Sequence, residues 1–289
     1  AGILMNANSG VELDNTKASA TVTGDISVDA SKDFNATSGY DDWDSSMFDN
    51  LYGGGHASGP YADATVNGNT DVITCREVRD SQRSGAFAGG HATHGSKARV
   101  TGNTKIEVVA AENAADRHES AKNVGGGGLA GFYGDAVVEG NTHVIIGEGV
   151  LFEGGGFFGV TGGGVVFEEY GCADVGGDVT VEISSDITKY WPYGGGFAKE
   201  EGSEASVAGD ISIIIDGANL GGIYCGGTEG STAKSSKVIV LGESKLYIYK
   251  AAIITNGITL NIGDRITETH ADVNYIFDSA SVHIFNNAV

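Results

Sequence analysis

Four aspartates cluster in one short segment of the sequence, at Asp41, Asp42, Asp44 and Asp49. Carboxylate oxygens are the ligands that calcium prefers in proteins, so Asp41, Asp42 and Asp44 are candidate calcium ligands. The segment has neither the ligand spacing of an EF-hand loop nor the Gly-Gly-x-Gly-x-Asp repeat of calcium-binding β-rolls. A solvated acidic loop without a metal is the alternative, and no other cofactor is expected.

Three histidines are candidate ligands for a transition metal. His56 and His91 both follow a glycine-rich segment, and His94 lies three residues after His91. If these segments stack on one another, the three imidazoles approach each other and could bind a transition metal. A chance coincidence of unconnected histidines is the alternative.

The chain has three cysteines, Cys75, Cys172 and Cys225, and none of them belongs to a Cys-x-x-Cys pair. A structural zinc site is therefore not expected. In an exported protein an odd number leaves at least one thiol without a partner in the same chain. The three residues are therefore candidates for disulfide bonds between subunits. Burial as small apolar side chains is the alternative.

No catalytic site is predicted, and we do not expect an enzyme. The Gly-x-Ser-x-Gly motif of serine hydrolases is absent. Carboxylates do not recur at one outward position of successive repeats, as a polysaccharide-cleaving groove on a β-helix would require. Trp43, Tyr190, Trp191 and Tyr193 could stack on sugars, although a structural role in the core is the simpler interpretation of Tyr193.

These residues are set in a repeat that runs through most of the chain. Seven times a glycine and a second turn residue open a short segment of alternating polar and apolar residues, as in Gly68-Asn-Thr-Asp-Val. The spacing of the seven glycines varies from 32 to 44 residues, with the glycines at Gly24, Gly68, Gly102, Gly140, Gly177, Gly209 and Gly242. A repeat of this length without helical periodicity predicts a solenoid, in which each coil buries its apolar side against the next.

Alternation assigns the side chains of each repeat strand to two faces. Val72, Ile106 and Val144 are predicted to point into the core. Asp71 and Lys105 are predicted to point outward, as neighbours of opposite charge on adjacent coils.

A glycine-rich motif precedes the repeat strand, as in Tyr52-Gly-Gly-Gly and Tyr193-Gly-Gly-Gly, and is typical of tight corners. The sequence therefore predicts an all-β fold, a single parallel β-solenoid (β-helix-like) of about seven coils with glycine-rich corners and about three short strands per coil. One domain is expected over residues 1–289, with residues 1–19 as an N-terminal cap or exchange segment, 20–250 as the repeats and 251–289 as C-terminal strands.

The charge of the chain limits its partners. Its 38 acidic residues against 17 lysines and arginines give a formal charge of −21, which argues against binding to nucleic acid or to an anionic membrane. No apolar stretch is long enough for a transmembrane helix. The chain begins at Ala1 without a methionine or a leader, so we expect a mature extracellular or cell-surface protein whose signal peptide has been removed.

Both ends of the chain carry apolar segments that could join copies of the protein into an oligomer or polymer. An unpaired solenoid end exposes backbone groups with which a strand of another subunit can pair. The alternative is that each segment caps its own solenoid. The candidate assembly residues are Ile3, Leu4, Met5, Val282, Ile284 and Phe285.

The Tyr-Gly-Gly-Gly corners and the Val-x-Gly-Asn-Thr-x-Val strands, over about residues 20–250, resemble the β-helix repeats of secreted adhesin-like surface proteins of anaerobic bacteria and archaea. The glycine-rich, acidic chain with an odd number of cysteines is also similar to the tubular sheath proteins of filamentous methanogenic archaea. The resemblance implies an extracellular structural protein that self-assembles into a cell-surface sheath, layer or filament, with cysteine bridges between units. A glycan-binding adhesin or a polysaccharide-active β-helix enzyme is the alternative, and neither family supplies catalytic residues here.

Overall fold

A computed structural model provides the structure of the chain. The part that we describe comprises residues 18–31, 51–75, 85–110, 123–150, 159–188, 191–229 and 235–249, together with the backbone of strands at 4–6, 253–254, 258–259, 263–264 and 279–284. Every regular element in these residues is a β-strand, and equivalent strands of successive coils pair in parallel. The fold is an all-β parallel β-solenoid, which confirms the predicted class.

Each coil consists of four short strands separated by turns. In the coil that begins at Leu51 these strands are Leu51–Tyr52, His56–Ser58, Asp63–Asn67 and Thr70–Thr74. The sequence predicts about three strands per coil. The fourth arises because the glycine run separates two very short strands instead of lying within one.

The strands form three long parallel sheets and a shorter one at the glycine corner. Sheet 1 contains Leu4–Asn6, His56–Ser58, His91–Thr93, Leu129–Ala130, Val165–Val166, Gly196–Ala198, Gly227–Glu229 and Gly263–Asp264. Sheet 2 contains Ser19–Thr23, Asp63–Asn67, Lys97–Val100, Asp135–Val138, Cys172–Val175, Glu204–Val207 and Lys237–Val240. Sheet 3 contains Ile26–Ala30, Thr70–Thr74, Thr104–Val108, Thr142–Ile146, Val179–Ile183, Ile211–Asp216, Glu243–Tyr249 and Ser279–Ile284.

The corner sheet contains Leu51–Tyr52, Ala86–Phe87, Val124–Gly125 and Val160–Thr161. Single bridges continue it from Thr161 to Tyr193 and from Tyr193 to Tyr224. Two further strand pairs follow, Ile223–Tyr224 with Ile258–Thr259 and Asn219–Leu220 with Ile253–Ile254.

Five successive coils are described from their first strand to their last, at 51–75, 85–110, 123–150, 159–188 and 191–216. An earlier coil contributes strands at 4–6, 19–23 and 26–30, and the chain after residue 216 contributes the remaining strands. The described residues therefore contain about five coils without a gap, slightly fewer than the predicted seven.

The register of sheet 3 confirms the predicted faces. Val72 pairs with Ile106, Ile106 pairs with Val144, and all three side chains are fully buried in the main core. Asp71 lies beside Lys105 as predicted. The ion pair of Lys105, however, is formed within its own strand, where its Nζ lies 2.9 Å from Glu107 Oε2.

A ladder of side-chain hydrogen bonds holds the turn between sheets 2 and 3. In six successive coils an Asn or Asp follows the repeat glycine, and its Oδ1 accepts the backbone N–H of the equivalent residue in the next coil. The donor-to-acceptor pairs are Asn69 to Asp25, Asn103 to Asn69, Asn141 to Asn103, Asp178 to Asn141 and Asp210 to Asp178 at 2.8 Å, and Glu243 to Asp210 at 2.9 Å. The second turn residue of the repeat therefore fixes the register between coils.

Candidate binding surfaces

The glycine corners fold the wall of the solenoid inward. Threonines of sheet 3 donate hydrogen bonds to corner carbonyl groups, from Thr70 Oγ1 to Ala88 O at 2.6 Å and from Thr104 Oγ1 to Gly126 O at 2.7 Å. A Cβ atom at Gly53 would lie 2.4 Å from Ala88 O, closer than real Cβ atoms approach. The corner backbone therefore lies in the interior against sheet 3, where only glycine fits.

This inward fold leaves a notch on the outside, between the outer faces of the corner sheet and sheet 1. A second apolar cluster fills the notch: Phe87, Leu129, Val165, Phe167, Tyr193, Phe197 and Tyr224, with Tyr52 and Trp191 packed against it. The rings stack from coil to coil, with centroids 5.5 Å apart for Tyr193 and Tyr224 and 4.7 Å apart for Trp191 and Tyr224. Tyr193 is 1% exposed, so its ring is a structural part of this notch cluster and does not offer a face to a sugar.

At the N-terminal end of the notch, imidazoles replace the apolar column of sheet 1. His56 pairs with His91, and His91 pairs with Leu129. The two imidazole rings stack with their centroids 4.5 Å apart, and the ring of Tyr52 lies 4.9 Å from that of His91. His56 Nε2 and His91 Nδ1 are buried and have no hydrogen-bond partner.

Burial keeps these side chains uncharged. It lowers the pKa of His91 from 6.5 to about 3, and the charges of His56 and His94 act in the same direction. Burial also lowers the pKa of His56 and raises the pKa of Tyr52. The notch is therefore neutral at pH 7 at the end where it contains histidine.

The predicted approach of three histidines is only partly realised. His94 is exposed, and its Nδ1 lies 3.1 Å from Thr93 Oγ1. Within the described ranges, no three His, Cys, Asp or Glu side chains are placed to hold a metal ion. The stacked pair of His56 and His91 is thus a feature of packing and not the beginning of a three-histidine site.

An exposed aromatic surface, which the sequence analysis missed, occupies the turn between sheets 1 and 2. Large hydrophobic side chains are exposed at six positions in the described part of the chain, and four of these positions lie at this turn: Tyr61, Phe132, Tyr133 and Tyr170. The rings of Tyr133 and Tyr170 stack with centroids 5.1 Å apart and planes inclined by 15°. We call these four residues the aromatic turn surface.

The backbone of this surface is left-handed at three tyrosines. The φ angles are 66° at Tyr61, 50° at Tyr133 and 58° at Tyr170, a conformation that residues with a Cβ rarely adopt. Gly202, one coil after Tyr170, has φ 67° and adopts it without strain. The tyrosines are therefore not required by the turn itself.

Carboxylates surround the aromatic turn surface. Glu168 Oε2 accepts the backbone N–H of Phe132 at 3.1 Å. The negative charge of Glu201 raises the pKa of Tyr170, with further contributions from burial, Tyr133 and Glu169. The surface combines exposed aromatic faces with hydrogen-bond acceptors and a negative potential.

The cysteines occupy different environments, and none of the three forms a disulfide. Cys75 and Cys225 are buried, as the small-apolar alternative expects, whereas Cys172 is half-buried on sheet 2. Burial raises the pKa of Cys225 to about 12. Burial, followed by the negative charges of Asp174, Glu204 and Asp135, raises the pKa of Cys172.

The other predicted site residues lie at or beyond the limits of the description. Asp41, Asp42, Asp44 and Asp49 are outside the described residues, as are Trp43, Tyr190, Ile3 and Phe285. The backbones of Leu4 and Met5 form part of a strand beside His56–Ser58, and those of Val282 and Ile284 pair with Leu246 and Ile248. Leu4, Met5, Val282 and Ile284 thus belong to strands of the chain's own solenoid, and their role in assembly stays a prediction.

The chain shows no significant match to any protein-family model, curated protein sequence or solved structure. No helix that could cross a membrane occurs in the described part of the chain. Proposals about function therefore rest on the geometry of this solenoid.

Proposed function

We propose that this chain is an extracellular, non-enzymatic structural protein that associates with further copies of itself into a cell-surface sheath, layer or filament. The supporting observation is that, among the described residues, the N-terminal end of sheet 3 is incompletely covered. Ile26 and Val28 occupy inner positions of sheet 3 but are only half-buried, whereas Val72, one coil further, is completely buried. The first coil thus leaves part of its core-facing apolar surface accessible to another molecule.

The backbone of the first coil has the polarity needed to continue the solenoid. In sheet 3, inner residues donate their N–H groups to the following coil, as Ile26 does to Asn69 O at 2.8 Å. Outward residues donate to the preceding coil, as Val109 does to Thr74 O at 2.9 Å. Because N–H groups alternate in direction along a parallel strand, the N–H of Ser27 points away from Thr70–Thr74, toward the edge of sheet 3 on which no described strand pairs.

The other end of sheet 3 supplies the complementary strand. Ser279–Ile284 is the final strand of this sheet in the described residues, and it runs parallel to all the others. Pairing of this strand in one copy with Ile26–Ala30 in the next copy would continue the parallel backbone hydrogen bonds of sheet 3 without a change of strand direction. Such head-to-tail contacts do not close on themselves and generate filaments.

Proline at the open edge tests this proposal. Ser27→Pro removes an N–H group that points out of the solenoid, which an edge strand tolerates. Ser212→Pro is the matched control, because Ser212 occupies the same outward column in an interior strand. Electron microscopy and sedimentation should show polymers of the wild type, folded monomers of Ser27→Pro and an unfolded or destabilised Ser212→Pro protein. A wild type that stays monomeric at high concentration would refute self-association, and polymers of Ser27→Pro would refute growth from this edge.

Glycan binding by an adhesin is the second candidate function, and one observation favours it. The exposed aromatic side chains concentrate at a single turn, whereas the aromatic residues of the notch are buried among themselves. Exposed rings beside carboxylates are better suited to stacking on a sugar and hydrogen-bonding to it than to a turn that contacts only solvent. No described arrangement of residues favours cleavage of a glycan over its binding.

A further inference from the structure

Three tyrosines of the aromatic turn surface belong to one regular column of residues that runs along the solenoid. Asp63, Lys97, Asp135 and Cys172 are aligned in successive coils of sheet 2. The residues two positions earlier therefore also follow one another along the turn. This column, which we call the turn column, consists of Tyr61, Gly95, Tyr133 and Tyr170, with Gly202 in the next coil.

The two glycines of the turn column have different surroundings. A Cβ atom at Gly202 would lie 2.4 Å from the ring of Tyr170, so that ring covers this glycine. At Gly95 the nearest atom to such a Cβ, apart from its chain neighbours His94 and Ser96, would be Pro60 Cα at 3.8 Å, and the ring of His94 lies beside that of Phe132 with centroids 6.0 Å apart. The space above Gly95 is therefore open, although aromatic residues precede and follow it in the column.

The opening is bounded by two tyrosines. Tyr61 and Tyr133 are two coils apart, which corresponds to roughly 10 Å along the axis. Tyr133 stacks on Tyr170 at about the spacing of adjacent coils, so its other face is directed toward the coil of Gly95. Tyr61 and Tyr133 are 62% and 63% exposed, the largest values among exposed hydrophobic side chains in the described residues.

We propose that the gap above Gly95, between Tyr61 and Tyr133, binds a neutral hexopyranose ring of a glycan. This inference deepens the second candidate function and does not depend on self-assembly. A pyranose presents C–H groups on both faces and hydroxyl groups around its edge. Its puckered ring is thicker than an aromatic ring and fills a two-coil gap better.

The polar groups beside the gap match the edge of such a sugar. Asp63, Lys97 and Asp135 lie two residues after the members of the turn column, and Lys97 Nζ lies 2.9 Å from Asp135 Oδ2. Carboxylates accept hydrogen bonds from hydroxyl groups, and an ammonium group donates to hydroxyl oxygens. The excess of negative charge on the chain disfavours uronic acids and phosphorylated glycans.

A plug variant tests the gap directly. Gly95→Tyr places a fourth ring in the column, in a left-handed conformation that Tyr61, Tyr133 and Tyr170 already adopt. Tyr61→Asn and Tyr133→Asn remove one wall each, and asparagine tolerates the left-handed backbone. Tyr249→Ser is the control, because Tyr249 is exposed at the end of a sheet 3 strand, away from the turn.

The probes are neutral hexasaccharides of β-1,4-linked glucose, mannose and galactose, with spermidine as a cationic comparator. Binding is measured by calorimetry and saturation-transfer NMR, with the Ser27→Pro protein as a second background if the wild type polymerises. The wild type and Tyr249→Ser should bind at least one hexasaccharide, and the three turn variants should bind it at least about tenfold more weakly. Circular dichroism establishes that each variant is folded.

Three results would overturn the site: no hexasaccharide bound by the wild type, equal binding by folded Gly95→Tyr, or binding of spermidine alone. Because the measurement also uses a background that blocks the proposed edge contact, failure of sugar binding is distinguishable from failure of assembly.

Discussion

The imidazole rings of His56 and His91 stack across two adjacent coils, with their centroids 4.5 Å apart and their planes inclined by 19°. One nitrogen of each ring is buried without a hydrogen-bond partner. The aromatic and aliphatic neighbours of the pair, Tyr52 and Leu129, carry no charge that would stabilise an imidazolium ion. A proton on either ring is therefore costly in the folded chain.

This arrangement makes the stability of the solenoid depend on pH. The folded-state pKa of His91 is about 3, below the unfolded value of 6.5, and the pKa of His56 is lowered as well. Between these pH values the unfolded chain binds protons that the folded chain excludes. The free energy of unfolding should fall as the pH drops from about 6.5 toward 3, by at most about 1.4 kcal/mol per pH unit for each histidine.

His91→Leu should remove the contribution of His91, because leucine already occupies the equivalent position of the next coil at Leu129. Urea unfolding at pH 7 and pH 4.5 measures the effect as a smaller pH-dependent loss of stability in the variant than in the wild type. Leu129→Val is the matched control, because Leu129 lies in the same column and carries no titratable group, so any loss of stability should be equal at the two pH values. Identical pH dependences of stability in the wild type and His91→Leu would contradict the assignment of this pH dependence to His91.

The ladder of side-chain hydrogen bonds at the turn between sheets 2 and 3 should tolerate aspartate but not alanine at its Asn positions. Asn103 Oδ1 accepts the N–H of Asn141 at 2.8 Å, and Asp178 Oδ1 does the same for Asp210 in a later coil. Asn103→Ala leaves that donor without its partner and should lower the free energy of unfolding by about 1 kcal/mol. Asn103→Asp keeps an acceptor in place and should cost much less. Equal losses in the two variants, measured by urea unfolding, would show that the side-chain acceptor is unimportant.

The sequence predicts the faces of this fold better than its curvature. The alternation around Val72 and Ile106 assigns inward and outward positions because strand side chains alternate strictly. Alternation carries no information on which way a wall bends, so the inward fold at Gly53 and the notch beside it could not be predicted. The matching positions after the glycine-rich segments predict that His56 and His91 approach each other, but not that one nitrogen of each ring lacks a hydrogen-bond partner.

The aromatic turn surface was missed for a different reason. The repeat alignment is anchored on the Gly-Asn-Thr strands, whereas turn lengths before sheet 2 vary between coils. Ser58 and Asp63 are five residues apart, but the equivalent Thr93 and Lys97 are four apart. A signal was present nonetheless, since Tyr61, Tyr133 and Tyr170 each lie two residues before a strand of sheet 2.

Glycine corners should be among the positions least tolerant of substitution. A Cβ atom at Gly127 would lie 2.7 Å from the carbonyl group of Gly163, and rigid backbone on both coils prevents relaxation. Gly127→Ala should lower the free energy of unfolding by about 3 kcal/mol or more. At Gly147 the nearest contact would be Val108 O at 3.1 Å, so Gly147→Ala should change stability by no more than about 1 kcal/mol. Chemical unfolding that gives similar losses for both variants would contradict the close packing of the corners.

Thiol reactivity should separate the three cysteines. Only the thiolate reacts quickly, and burial suppresses it at Cys225, whose pKa is raised to about 12. Cys75 is also buried, whereas Cys172 is half-buried. In the folded protein, iodoacetamide should label Cys172 first, and Cys225 should react at a useful rate only after unfolding. Mass spectrometry of peptides after timed labelling measures the order.

The same experiment limits any disulfide between copies of the chain. The pKa of Cys172 is raised by burial and by Asp174, Glu204 and Asp135, so its labelling should speed up as the pH rises through the alkaline range. Cys172→Ser should leave the native protein almost unlabelled, which makes it the matched control. Rapid labelling of Cys225 in that variant would show that the corner at Cys225 opens in solution. If Cys172 alone reacts, a covalent bridge between folded subunits can form only through this residue, on the outward face of sheet 2.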